Sequence, residues 1–246
     1  MQKAVATGVP AQTYPIKPIA APEDGTVMLF SDGLRFDAGR RLAGALAGRG
    51  LACEVAWRLT PLPSITATDK PAVSPVAGAL TGGPKLEPVV AASGTRVDVN
   101  VLRRLLREAG YQVLQGDETG DATGRAWTEL GAIDKYGTEH GLKVARHLDG
   151  EIRALERRAA DLLEAGWQRV VVVTDHGWLL LPGGLPKVEL PEHLTEVRKG
   201  RCARLKSGSI TDQQTVPFRV VERPARRLCR AHRGRRAAAA RHSDQL

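Results

Sequence analysis

The sequence predicts a layered α/β fold, with a mostly parallel sheet and helices on both faces. Two short apolar runs, Val27-Met28-Leu29-Phe30 and Val170-Val171-Val172-Val173, have strand length. The second is β-branched and apolar on both faces, as a central parallel strand covered by helices requires. Segments with apolar residues every three or four positions alternate with these runs, and strands alternating with helices imply a layered α/β domain.

Residues 1–25 contain Pro10, Pro15, Pro18 and Pro22 without periodicity and read as an extended lead-in. The Val27–Phe30 run ends at Ser31-Asp32-Gly33, and Leu34, Ala38, Leu42, Ala45 and Leu46 then follow at helical spacing up to Gly50. Leu51 to Trp57 reads as a second strand. Residues 58–98 hold Pro61, Pro63, Pro71, Pro75, Pro84 and Pro88 among many Ser, Thr and Gly, which predicts a loop-rich insertion without long regular elements. Val101, Leu102, Leu105 and Leu106 mark a helix closed by Gly110, and Tyr111 to Leu114 a strand. From about Glu139 to Ala165, Leu142, Ala145, Leu148, Ile152, Leu155, Ala159 and Leu162 predict one long helix packing on the sheet.

Composition excludes several classes. With 246 residues, 42% of them hydrophobic, the chain can bury a substantial core. No apolar run approaches the roughly 20 residues of a membrane helix, and the N-terminus lacks the apolar stretch of a secretory signal. The expected location is therefore the cytoplasm, without membrane association. Cys53, Cys202 and Cys229 are odd in number and form no C-x-x-C pair, so a disulfide framework is not expected. The net charge is +9, of which residues 222–246 carry +6. The body is close to balance and does not itself argue for nucleic acid.

Chemistry is expected at the strand ends. In parallel α/β sheets ligands bind outside the carboxyl ends of the strands, and two strands there run into acid, at Asp32 and at Asp175-His176-Gly177. Asp134, after Ala132-Ile133, is a third candidate. Gathered carboxylates repel unless a divalent ion neutralises them, and mixed Asp/His ligation suits zinc, manganese or iron better than calcium. Asp32 and Asp134 also fit as helix N-caps, whereas an adjacent acid and imidazole directly after a buried strand have few structural uses. In the insertion, Ser64, Thr66 and Thr68 offer hydroxyls that a divalent ion can activate toward phosphorus. They equally suit turns beside proline.

The ordered set Ser31-Asp32-Gly33-Leu34-Arg35-Phe36-Asp37, Leu62-Pro63-Ser64-Ile65-Thr66, and the segment from Val173-Thr174-Asp175-His176-Gly177-Trp178 to Lys187 resembles the PglZ family of the alkaline phosphatase superfamily. That family is associated with bacterial phage defence of the BREX and phage-growth-limitation type. The resemblance covers about Val27 to Arg219 and implies an alkaline-phosphatase-like core and a metal-dependent phosphatase or phosphodiesterase. It makes Asp32, Asp175 and His176 ligands of one metal, zinc first among the candidates. Thr66 becomes the nucleophile, with Ser64 and Thr68 as alternatives.

By the same resemblance Asp134 matches the acid of a D-x-x-G-H motif for a second metal. Thr138 stands at that motif's His position, and the nearest imidazole is His140. A further downstream His has no counterpart in His193, His232 or His242, which favours one metal over two. Arg35 is placed to hold a substrate oxygen, though an Arg in the first turn of a helix also suits a solvated surface. The expected partners are a phosphorylated substrate and other phage-defence subunits. The alternative function is an interaction subunit of such a complex that keeps the fold without a full site.

Residues 220–246 depart from this pattern. Arg223 to Arg241 include eight Arg and no acid, the composition that out-of-frame translation of a GC-rich gene yields. The tail is therefore expected not to be native to the fold and to pack poorly. The domain in residues 26–219 is expected to lack its last strands and a Gly-flanked metal-ligating His. A nucleic-acid-binding tail rests on charge alone, with no aromatic residue to stack a base.

Overall fold

Alternation along β1 (Thr26–Phe30) divides the core of the computed structural model, which describes residues 22–57, 64–180, 192–199, 202–206 and 230–232. Successive side chains on a strand point to opposite faces. Val27 and Leu29 accordingly join one buried cluster, and Met28 and Phe30 join another. β7 (Arg169–Val173) lies parallel beside β1, with Val173 opposite Phe30. On the other side β6 (Arg125–Glu129) sets Glu129 opposite Phe30, and β5 (Tyr111–Leu114) continues in parallel. With β2 (Ala52–Glu54) and β10 (Arg230–His232), the sheet order is β2-β10-β7-β1-β6-β5. β10 is antiparallel to both neighbours, so the other strands of this sheet share one direction and end on one edge.

Helices cover both faces. On the Val27/Leu29 side, α1 (Phe36–Gly48) packs against α5 (Val144–Glu164) through Leu42, Leu46, Leu155 and Leu162, all essentially inaccessible. On the Met28/Phe30 side lie α2 (Thr66–Val73) and α3 (Val99–Glu108), the latter capped by the Asp98 carboxylate, which accepts from the amides of Asn100 and Val101. α4 (Ile133–His140) precedes α5. Two hairpins, β3 (Leu80–Gly82) with β4 (Pro88–Val90) and β8 (Thr195–Lys199) with β9 (Cys202–Leu205), stand outside the main sheet. Among the described residues no helix is long and apolar enough to cross a membrane.

The architecture agrees with the expected α/β class, with corrections in detail. The single helix expected from Glu139 is two: Gly141, at φ +56°, ends α4, a short 3-10 turn follows, and α5 starts at Val144. Leu142, counted in the apolar stripe, is exposed. The insertion is more regular than its prolines suggested, holding α2 and the β3–β4 hairpin; residues 58–63 lie outside the described residues. β6 was not expected from Arg-Ala-Trp-Thr-Glu, because charged ends and a Thr conceal a segment whose three central residues are buried. The second strand is shorter than its apolar run. Within the tail, expected to pack poorly, Arg230–His232 pair with β2 and β7. Strand pairing uses backbone groups and does not require a particular side-chain composition. The tail's other residues lie outside the described ones.

Leu155 is fully buried where α5 meets the sheet, so Leu155→Ala is expected to cost about 2–5 kcal/mol by leaving a cavity. Urea unfolding checks this, with the midpoint falling while the slope stays the same.

Candidate metal centre

Because β1 and β7 are adjacent and parallel, the loops that follow them leave the sheet side by side. Backbone groups sew them together. The Ser31 amide donates to the Val173 carbonyl at 2.9 Å, the Gly33 amide to Asp175 Oδ1 at 3.1 Å, and the Leu34 amide to Thr174 Oγ1 at 3.0 Å. Gly33 is required twice over. Its φ is +70°, and a Cβ there would stand 3.1 Å from the Asp134 Cβ.

This stitching gathers three candidate ligands. Ligand atoms of Asp32, Asp175 and His176 all lie within 4.8 Å of one another, and this is the one such group among the described residues. Asp175 is buried; its Oδ1 accepts from the amides of Gly33 and His176, at 3.1 and 2.9 Å. The His176 ring is held by Nδ1 against the Gly177 carbonyl at 3.2 Å, which places the proton on Nδ1 and leaves the Nε2 lone pair facing the carboxylates. That Nε2 lies 3.6 Å from Asp32 Oδ1 and 3.6 Å from Asp175 Oδ2. Zinc takes such donors at about 2.1 Å, which makes the edges of the donor tetrahedron roughly 3.4 Å. Spacing and donor chemistry both fit a divalent ion.

Thr66 joins this group. It opens α2, and its Oγ1 donates to Asp32 Oδ1 at 3.3 Å and lies 3.1 Å from His176 Nε2. Thr68 turns elsewhere, donating to the Leu86 carbonyl at 2.7 Å. Thr66 is thus in contact with the acid and the imidazole, and Thr68 is turned away from them.

No family model matches the chain, and no curated protein does. The site is therefore interpreted from its own geometry.

The remaining candidates lie around the cluster. Asp134 is in the first turn of α4, not ahead of it, and abuts Gly33; its charge acts on Asp32, but it is not one of the three grouped ligands. His140 closes α4, exposed, with its ring stacked on Tyr136 at 4.2 Å and its Nδ1 3.3 Å from the Tyr136 carbonyl. It too stands outside the grouped set. Arg35 stacks on Trp178 at 4.1 Å, while Nε and one terminal nitrogen grip Asp37 at 2.6 Å each. The guanidinium edge suited to a phosphate is thus occupied by a carboxylate. Residues 181–187, the end of the most specific matching segment, and His242 lie outside the described residues. His193 is exposed.

Sequence reasoning missed Thr174, whose hydroxyl accepts from Leu34, and Trp178, whose indole donates to the Gly33 carbonyl at 2.9 Å. Neither has a local signal, since both act on a loop more than 100 residues away.

Burial, then the nearby Asp175 and Asp134 charges, push the Asp32 carboxyl up to about 7 from an ordinary 3.8, with His176 opposing. The native state therefore holds a proton that the unfolded chain releases. That contribution to stability is fully present below about pH 4 and is lost as pH rises through about 7. A divalent ion takes the proton's place. The zinc-induced rise in Tm is expected to be smaller at about pH 5 than at about pH 8. In metal-free protein, Asp32→Asn is expected to flatten the decline of Tm over the same window. Thermal melts with and without chelator check both.

Proposed function

We propose that the chain is a metal-dependent hydrolase of phosphate mono- or diesters, with zinc held by Asp32, Asp175 and His176 and with Thr66 as the nucleophile. The observation that carries this reading is the Thr66 hydroxyl, 3.1 Å from His176 Nε2 and 3.3 Å from Asp32 Oδ1. Bottom-up reading left three hydroxyls open, and the PglZ resemblance favours the same one. The parallel sheet with helices on both faces is compatible with the alkaline-phosphatase-type core that the resemblance implies, and with it a role in phage defence.

A bound divalent ion would supply the positive charge that balances two carboxylates and favours an alkoxide and a developing phosphoryl charge. The chain's own groups do the rest. Thr66 Oγ attacks phosphorus in line, forming the Oγ–P bond as the bond to the leaving oxygen breaks. Its proton is released to solvent, since Asp32 and His176, which face the hydroxyl, would be held as ligands of the ion. The position of Thr66 at the first residue of α2 places the positive end of the helix dipole behind the forming anion. Asp175, fixed by two amides, holds its place without reorganisation. Water then cleaves the phosphothreonine and restores the hydroxyl.

Thr66→Val is expected to lower zinc-dependent turnover of bis(p-nitrophenyl) phosphate roughly 10³-fold or more while metal stays bound. Asp175→Ala and His176→Ala are expected to remove the metal. Elemental analysis and steady-state kinetics on the purified chain check these together. Full turnover in Thr66→Val would sink the nucleophile assignment. A chain that holds no metal, turns over no phosphoester and still binds partner proteins would be an interaction subunit instead.

A further inference from the structure

We infer that Lys70 and Glu129 are a positioning pair for the nucleophile, clamping α2 to the sheet at the rotation that turns Thr66 toward Asp32 and His176. The inference rests on Thr66 being the nucleophile.

α2 has little to hold it in place by itself. It is eight residues long, has no side-chain cap at Ile65, and contains Pro71, which cannot donate to the Ala67 carbonyl. Whatever sets its rotation must come from outside the helix. Residues four apart share a helix face, so Thr66 and Lys70 look the same way. Phe30 ends β1, and Asp32 follows two residues later in the loop. α2 lies over both. Thr66 meets Asp32 at 3.3 Å, and one turn further on the Lys70 ammonium lies 5.0 Å from the Phe30 ring centroid.

Lys70 is fixed from the neighbouring strand. Its Nζ donates to Glu129 Oε2 at 2.5 Å, and Glu129 is the register partner of Phe30 on β6. The other oxygen, Oε1, accepts from the indole of Trp127 at 3.1 Å. Trp127 is fully buried and stacks on Phe30 with centroids 5.8 Å apart. The Lys70 and Glu129 side chains are 16% and 28% exposed, so the pair is shielded from competing water more than an ordinary surface bridge. A series of contacts thus runs from the sheet core through Trp127, Glu129 and Lys70 to the helix that presents Thr66. A nucleophile displaced by about 1 Å can lose roughly 10²-fold in rate, so losing this link acts on catalysis.

The test is a double-mutant cycle between Thr66→Val and Glu129→Gln in the full chain, with Lys70→Met and Lys70→Arg alongside. It reads zinc affinity by chelator competition, kcat and KM on bis(p-nitrophenyl) phosphate, and Tm. Glu129→Gln and Lys70→Met are expected to lower kcat by roughly 10- to 100-fold with KM changed less than about threefold. Lys70→Arg, which keeps the ion pair, is expected to recover most of that loss. Thr66→Val is expected to leave zinc affinity unchanged, and adding Glu129→Gln to it is expected to lower the residual turnover no further. Independent effects that multiply in the double variant would overturn the positioning role, as would unchanged kcat in folded Glu129→Gln or Lys70→Met. Should Glu129→Gln fail to fold, the Lys70→Met and Lys70→Arg pair decides the matter on the same readouts. If Thr66→Val alone leaves turnover unchanged, the nucleophile reading falls and takes this inference with it, an outcome distinct from multiplying effects.

Discussion

Two carboxylates and an imidazole held within 4.8 Å of one another are the constraint around which the rest is arranged. Asp32 and Asp175 repel, and burial makes ionising Asp32 harder still, which is why its carboxyl stays protonated up to about pH 7. An arrangement of this kind persists only if the surroundings fix it. Adjacent parallel strands bring the two loops together, and the amides of Gly33 and Leu34 reach across to Asp175 and Thr174 so that neither loop can move alone. The folded chain thus bears a local electrostatic cost that a divalent ion relieves.

The two core clusters divide the labour. α1 and α5 pack on Val27, Leu29, Val170 and Val172, and so support the strands from which the ligand loops emerge. The opposite cluster, with Met28, Phe30, Trp127 and Val173, supports α2 through Ala72 and Val73. The acid–imidazole cluster and Thr66 therefore belong to different layers and meet at the carboxyl edge of the sheet. The orientation of one short helix of modest intrinsic stability is thus imposed by the sheet below rather than by its own hydrogen bonds.

Much of this was legible in the sequence, and unevenly so. β1 and β7 are strong apolar runs, so their ends and the acids that follow could be placed from spacing alone; the choice of Asp32, Asp175 and His176 as one ligand set came from the family resemblance. Thr66 stood among three hydroxyls, and the fold turns Thr68 to the Leu86 carbonyl and Thr66 to Asp32 and His176. Lys70 carried a faint signal, four residues from Thr66, but Glu129 carried none, because its importance depends on the register of β6 against β1. β6 itself escaped because Trp127 and Thr128 are buried by tertiary packing that local pattern does not encode. The break at Gly141 was hidden by Leu142, whose apolar character fits the helical stripe although its side chain is exposed.

Charge balance limits how a phosphate can be held. Asp32 and Asp175 bring two negative charges, which one divalent ion neutralises, and Asp134 adds a third nearby. Among the described residues Lys70 and Arg35 flank this region, and each already faces an acid: Lys70 with Glu129 and Arg35 with Asp37. The two pairs differ in how readily they exchange. Lys70 is 16% exposed and anchored through Glu129 to a buried indole, whereas Arg35 and Asp37 are 35% and 54% exposed, where an ion pair contributes about 1 kcal/mol or less. An incoming phosphate, bidentate like a carboxylate but more highly charged, competes with Asp37 on better terms than with Glu129. On the proposed reading the two pairs suit different tasks, Lys70 fixing the helix that carries Thr66 and Arg35, stacked on Trp178 beside the ligand loop, exchanging its acid for a phosphate.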